Sequence, residues 1–529
     1  MQRKPSITRY TFHIYIFFLI LISFCTNQYY AYQGVLPVDS FSTFNAGYDI
    51  LNGSVPFKDY WVLKGIVLDI IQAFFFKIFG VSWFSYSIHA STFNSIFALA
   101  TFFTLTKFDL DIRYSFFYAA LASILMYPTY GIPFTDHSTA IFCMLSIYSL
   151  CLAIKSQKKI YWFLIPVLMF LAFFTKQAPT GYFGILIIIV SCLYLILNSK
   201  KEIFFFGTLG ILLSIGIFLS YVYFNEISFH DIVVQYFLYP MSLGETRLEW
   251  LFPIEIQRFV FRHKLIYLAL SVPIFLLFKN IFKNILSILE KENLIFLLLL
   301  GTLLIFITHQ LMTINGLYIF FLIPVFAGFS HIYSKRLNKN YLVNFFLILS
   351  FISTIYYHQK YINKRDTLLL RKLDLNRSID AVILSDKLKN LRWLTHHYPN
   401  NPETEIKNLL NTIKIIKEDN KKKMIVTDYQ FISVVLSMKD NSAARIWWRH
   451  HIYPSGPNQK YFLEWKKFLL RQITANKIEV VYTVLPLEGE ENIFKDLLDE
   501  KCYSNKKLNE ILVLQILKNC DELNFFSKS

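Results

Sequence analysis

Charge is scarce in this sequence. Asp, Glu, Lys and Arg make up 17% of its 529 residues, where an ordinary soluble domain carries about 25%. With 55% hydrophobic residues and 54 Phe, a soluble globular protein is excluded. The apolar stretches also lack the period-two alternation of a membrane β-barrel. Among six cysteines there is no CxxC of metal-binding type. Cys25, Cys143, Cys151 and Cys192 fall in or beside apolar segments and read as packing residues. The net charge is +17, yet no basic stripe with interleaved aromatics occurs, so nucleic acid is not an expected partner. No internal repeat is found, and polar residues gather near segment ends, which argues against a transporter.

What is present is a series of long uncharged runs, the mark of a polytopic, mainly α-helical membrane protein. Arg3, Lys4 and Arg9 precede the apolar residues 12–24, and no small-x-small cleavage site follows. This reads as an uncleaved first span with a cytoplasmic N-terminus. Residues 66–79 are short for a span and carry Asp69, Gln72 and Lys77 on one broad face, which predicts an interfacial helix. If that helix does not cross, the basic loops at 107–113, 155–159, 200–201 (Lys200, Lys201), 279–291 and 334–339 all share the side of the basic N-terminus. If it crosses, all of them land outside, against the charge rule.

The run 294–333 is forty residues, roughly 60 Å of helix and twice a hydrocarbon core. It is expected to turn between His309-Gln310 and Asn315-Gly316, and 161–197 to turn at 176–181. About eleven spans result: 10–27, 85–106, 114–128, 138–154, 161–175, 182–198, 203–224, 264–278, 294–308, 317–333 and 341–357. Odd parity puts the C-terminal region outside. The same parity gathers 38–66, 130–137, 176–181, a long loop at 225–263 and 309–316 on that outer face.

Residues 358–529 change character. Helices are expected at 405–417 and 460–475 and short strands at 423–427 and 478–484, a small α/β domain. The expected division is a transmembrane domain, 1–357, with a first outer loop at 28–84, followed by a soluble extracytoplasmic domain, 358–529. Outside the cytoplasm Cys502 and Cys520 are a candidate disulfide, worth about 3 kcal/mol.

The most informative stretch is 38–66, VDSFSTFNAGYDILNGSVPFKDYWVLKGI. It holds Asp39, Asp49, Asp59, Lys58 and Lys64 in a Gly- and Pro-marked insert between membrane segments. Gly53, Pro56-Phe57-Lys58-Asp59-Tyr60-Trp61 and Lys64-Gly65 are followed by Phe79-Gly80-Val81-Ser82. This pattern resembles the first outer loop of GT-C membrane glycosyltransferases, in the branch of protein O-mannosyltransferases and lipid A aminoarabinose transferases. Ile66 stands where that family has proline, Ser40 where many relatives carry a second acid, and His89 near a common arginine.

The resemblance implies transfer of a sugar from a polyprenyl-phosphate donor to an acceptor outside the membrane. Lipid, glycan and protein all remain open as acceptors. It makes Asp39 the general base for the acceptor hydroxyl and Lys64 a donor-phosphate contact. Asp59 is expected to orient the loop. Asp136 helps to hold the acceptor or a metal, or N-caps a span. Lys176 meets phosphate or snorkels, and Arg247, with Arg258 and Arg262, meets the headgroup or anchors an interfacial helix. His309 and Gln310 read as turn residues. No cofactor is marked by the residues, and a divalent metal stays open. His396-His397 and Trp447-Trp448-Arg449-His450-His451 invite metal or sugar-stacking roles, but adjacent histidines on a helix or strand point apart. The rival readings are a cell-envelope polysaccharide polymerase or ligase, a lipid-linked glycan flippase, and a membrane protein without activity.

Overall fold

The computed structural model describes residues 9–198, 201–313, 318–448, 451–487, 492–518 and 520. Arg3, Lys4, Lys200, Asn315, Gly316, Arg449 and His450 therefore lie outside the described residues. Two compact units are formed, neither of them continuous in sequence. One comprises Met1–Ala31, Ala90–Leu219 and Arg247–Thr367; the other comprises Tyr32–His89, Ser220–Thr246 and Leu368–Ser529. The single break expected at 357/358 is replaced by this interleaving, and the first outer loop belongs with the C-terminal segment. The reason is backbone satisfaction. Gly34 N–H donates to the Arg392 carbonyl at 3.0 Å, Val35 N–H to Leu394 at 3.1 Å and Trp61 N–H to Ala443 at 2.8 Å.

In the first unit every segment read as a span is helical, but the lengths differ. Among the described residues seven helices are long and apolar enough to cross a membrane. The pair Ile256–Ala269 and Ser271–Lys283, bent by 88°, makes eight if it is one span. Ile112–Leu125, Lys159–Phe173 and Leu322–Arg336 have 14, 15 and 15 residues, a rise of about 22 Å against a core of about 30 Å. Thr135–Ser156 is almost wholly buried and packs on Lys159–Phe173, Gln177–Leu197 and Lys291–Thr313. Lys201–Phe224 instead leaves Phe204, Phe205, Leu212 and Ile217 exposed, the surface a lipid-facing helix presents.

Residues 225–263 are not a long loop. They fold as Phe229–Ile232, a π-helical turn Val233–Leu238, Tyr239–Leu251, Ile256–Phe259 and Phe261–His263. Lys291–Thr313 continues through His309 and Gln310, and the other end of the expected turn, Asn315-Gly316, lies outside the described residues.

Arg365 is buried in the first unit. Its guanidinium donates to the carbonyls of Pro128, Thr129 and Tyr130 at 2.8, 3.1 and 2.6 Å, tying down the turn that precedes Thr135–Ser156. Gly131 closes that turn at φ +82°. A Cβ there would lie 2.6 Å from the Ala31 backbone nitrogen.

The second unit holds a mixed sheet of β3 (Lys423–Thr427), β4 (Val480–Val484), β5 (Tyr503–Lys507) and β6 (Leu512–Leu517), in the order β3-β4-β6-β5. A short ladder of β1 (Ile379–Asp380) and β2 (Arg392–Trp393) precedes it. β3 and β4 are parallel, and the other pairs are antiparallel. Pro402–Glu418 is N-capped by Asn401. At its other end the Lys423 ammonium meets the carbonyls of Ile416 and Asp419, a cation on a helix C-terminus. Cys502 and Cys520 form a disulfide with 5.5 Å between their Cα atoms.

Val67–Phe79 is a helix that does not qualify as a span. Its three polar residues do not share one face toward solvent. Gln72 is buried, with its Oε1 2.9 Å from His89 Nδ1, while Lys77 is exposed. Trp447 is core and Trp448 surface.

Replacing Gly131 by alanine is expected to cost more than about 1 kcal/mol, read as a lower thermal unfolding midpoint in detergent.

Candidate active site

The first loop begins with a short helical turn, Pro37–Ser40, started by proline at its first position. Asp39 projects from it. In the same unit Lys64 follows the Tyr60-Trp61 pair, and its Nζ lies 3.9 Å from Asp39 Oδ1. About a quarter of each side chain is exposed (28% for Lys64, 23% for Asp39). The pair sits at the outer limit of an ion pair, and the two groups are close enough for one ligand oxygen beside them to reach both. Asp59 turns inward instead. Its Oδ2 accepts from the Val55 N–H at 2.8 Å and shapes the loop.

Behind this pair lies a buried charge cluster. Arg445 Nη2 is 2.9 Å from Asp49 Oδ2, and its Nη1 is 3.3 Å from Asp440 Oδ2. The guanidinium carbon stands 4.3 Å over the Tyr60 ring. Asp440 also accepts from Asn45 Nδ2 at 2.7 Å. Burial works against the Arg445 cation, but Asp49 and Asp440 outweigh it and raise its pKa. Burial pushes Asp49 and Asp440 upward, opposed first by Arg445. Asp69 joins the cluster from Val67–Phe79. Burial raises it to about 7, against the nearby Thr43 hydroxyl and the charges of Arg445 and Lys64. One guanidinium thus pairs with Asp49 and Asp440 and acts at longer range on Asp69, while burial raises the proton affinity of all three carboxyl groups.

The first unit holds a second cluster. Asp136 lies in the first turn of Thr135–Ser156, where Phe134 is the N-cap residue, so it does not cap that helix. Its Oδ1 is 2.5 Å from Lys176 Nζ and 3.2 Å from His309 Nε2. Gln310 Nε2 lies 3.1 Å from His263 Nε2. His309 and Gln310, read as turn residues, are buried in the last turns of Lys291–Thr313. Arg247 is carried by Tyr239–Leu251 rather than a loop, and its charge acts on His309. Among the described residues Thr135 Oγ1, both ring nitrogens of His137 and the Tyr318 hydroxyl are buried without a hydrogen-bond partner.

Lys176 is also the N-cap residue of Gln177–Leu197. One turn on, Thr180 and Gly181 enter the wall of an apolar groove of about 570 Å³ formed with Lys159–Phe173 and Lys201–Phe224. Gly207 opens it further, since a Cβ there would meet nothing within 4 Å.

The structure thus pairs Asp39 with Lys64, and Asp136 with Lys176. The reading from sequence missed Arg445, Asp440, Asp49 and Asp69 as a cluster, and His309 as a partner of Asp136. His309 had a signal: Ile295, Leu299, Thr302, Phe306 and His309 are spaced as one helix face, and all are buried. Arg445 and Asp440 had none. Among the described residues no group of three or more His, Cys, Asp and Glu is placed to hold a metal ion.

No protein-family model and no curated protein matches the sequence. Among solved structures the chain is similar to ArnT from Cupriavidus metallidurans bound to undecaprenyl phosphate. The identity is 10% over 97% of this chain and 98% of that one, with a TM-score of 0.47. The apo state of ArnT gives 10% identity, the same coverage and a TM-score of 0.45. The apo oligosaccharyltransferase of Archaeoglobus fulgidus gives 13% identity over 95% of this chain and 74% of that chain, at 0.44. At these levels the chemistry has to be argued from the residues themselves.

Arg445→Met strands two buried carboxyl groups and is expected to destabilise the protein by about 3–5 kcal/mol, measured by chemical unfolding. Asp69 binds its proton more tightly folded than unfolded, so its contribution to stability falls as pH rises from about 4 to about 7. Asp69→Asn should flatten that slope in thermal midpoints taken across the interval.

Proposed function

We propose that this chain is an integral membrane glycosyltransferase of the GT-C type, moving a sugar from a polyprenyl-phosphate donor to an extracytoplasmic acceptor. The observation that carries the reading is the 3.9 Å approach of Asp39 and Lys64, residues at the two ends of the first-loop pattern. A carboxylate at the rim of a partly desolvated loop can take the proton of an acceptor hydroxyl. The acceptor oxygen then bonds the anomeric carbon as the bond from that carbon to the phosphate oxygen breaks. The electron pair leaves on the polyprenyl phosphate, and the Lys64 ammonium stabilises that charge.

The apolar groove beside Lys176 supports a prenyl chain as ligand, and Lys176 and Arg247 are cations of that unit suited to an anionic headgroup. The buried unpartnered atoms of Thr135, His137 and Tyr318 favour a polar ligand near Asp136, whose role is to steer Lys176 and hold the acceptor. An extracytoplasmic C-terminal region accords with the Cys502–Cys520 disulfide, a bond that persists in oxidising compartments.

Purified protein should transfer label from a radiolabelled polyprenyl-phosphate sugar to an envelope acceptor. Asp39→Asn is expected to lower kcat by about 10²–10⁴, and full activity in that variant removes Asp39 as the base. Gly207→Phe should raise KM for the donor, since its side chain fills the apolar groove.

A further inference from the structure

Parallel β3 and β4 end side by side at Thr427 and Val484, and ligands of open α/β sheets gather beyond the carboxyl ends of such strands. There a cavity of about 400 Å³ is lined by the polar residues His397, Tyr398 and Glu510 and by the apolar residues Leu485, Pro486, Leu487 and Ile511. That size falls within the roughly 300–1,000 Å³ of small-ligand sites. We propose that this cavity recognises a neutral or amino sugar, held by His397, Tyr398 and Glu510 with its C–H face against Leu485–Leu487. The inference does not rest on the transferase reading.

Three features select that ligand class. Among the described residues no Lys or Arg lines the cavity, and the Glu510 carboxylate repels phosphate, so an anionic ligand is disfavoured. Burial, aided by His396, lowers His397 to about 4. The imidazole is then neutral at pH 7, with one donor and one acceptor nitrogen for hydroxyl groups. Glu510 Oε2 accepts from Asn408 Nδ2 at 3.3 Å, which leaves it lone pairs for a sugar hydroxyl or ammonium.

The wall is also pre-organised. Glu405 is buried beneath it and accepts from Trp393 Nε1 at 2.9 Å, Thr395 Oγ1 at 2.9 Å and the Tyr429 hydroxyl at 2.6 Å. Burying a carboxyl group is costly unless it is bonded in this way. Thr395 Oγ1 in turn accepts from the Tyr398 N–H at 3.4 Å, so Glu405 holds the root of the segment that carries His397 and Tyr398. Because 395–400 is neither helix nor strand, the His396 and His397 rings do not point apart. Their centroids are 3.9 Å apart.

The test is saturation-transfer NMR on the full chain in nanodiscs, with methyl glycosides of a neutral hexose and a 2-amino hexose, and with a hexose 6-phosphate. Transfer is expected to at least one of the two glycosides, with the phosphorylated sugar about tenfold weaker or more. Glu510→Gln and His397→Ala, each checked for an unchanged thermal midpoint, should weaken binding about tenfold, the loss of one hydrogen bond. Silence with every probe, equal binding in both variants, or a preference for the phosphorylated sugar would overturn the proposal.

Discussion

A single buried guanidinium constrains the second unit. Arg445 reaches Asp49 in the first loop and Asp440 five residues before it, and it lies flat over Tyr60. A charge cluster this deep is expensive to assemble and more expensive to break. Its effect is positional. Tyr60 and Trp61 are set between Arg445 and an aromatic core of Trp447, Trp465 and Phe468. Lys64, three residues on, inherits that placement, and so does its distance to Asp39.

The first unit is built on other terms. Its helices are apolar all round, so packing there is decided by small residues and by the few polar groups that must find partners away from water. Asp136, Lys176 and His309 come from three different helices and meet at one carboxyl oxygen. Arg365 holds the preceding turn through carbonyl oxygens. The first arrangement fixes side chains to one another, and the second fixes backbone.

What could be read from the chain was what is local. β3 is observed where the buried run 423–427 was expected, and the helix that is too short and too polar to span is present as Val67–Phe79. The Asp39–Lys64 approach was legible because both residues stand in one 29-residue pattern. The partners of Asp49 were not, since 391 residues separate it from Asp440 and neither periodicity nor spacing reaches that far. β5, YSNKK, is too polar to read as a strand before the sheet it completes is known, whereas the short apolar run of β6, LVLQIL, carried a strand signal that the reading passed over. Helix ends were misjudged where a polar pair such as His309-Gln310 looked like a turn yet found buried partners.

The long separation between Asp49 and Asp440 also has a consequence in time. Synthesis runs at about 5–20 residues per second, so the 391 residues between them take roughly 20–80 s to make. Throughout that interval the first loop exists without Arg445, its acids and aromatic residues lacking the surface they fold against. The loop that carries Asp39 and Lys64 is therefore among the first segments to be made and among the last to be finished. A chain released before residue 445 has its membrane helices but no formed first loop, which makes the C-terminal segment the step that completes the protein.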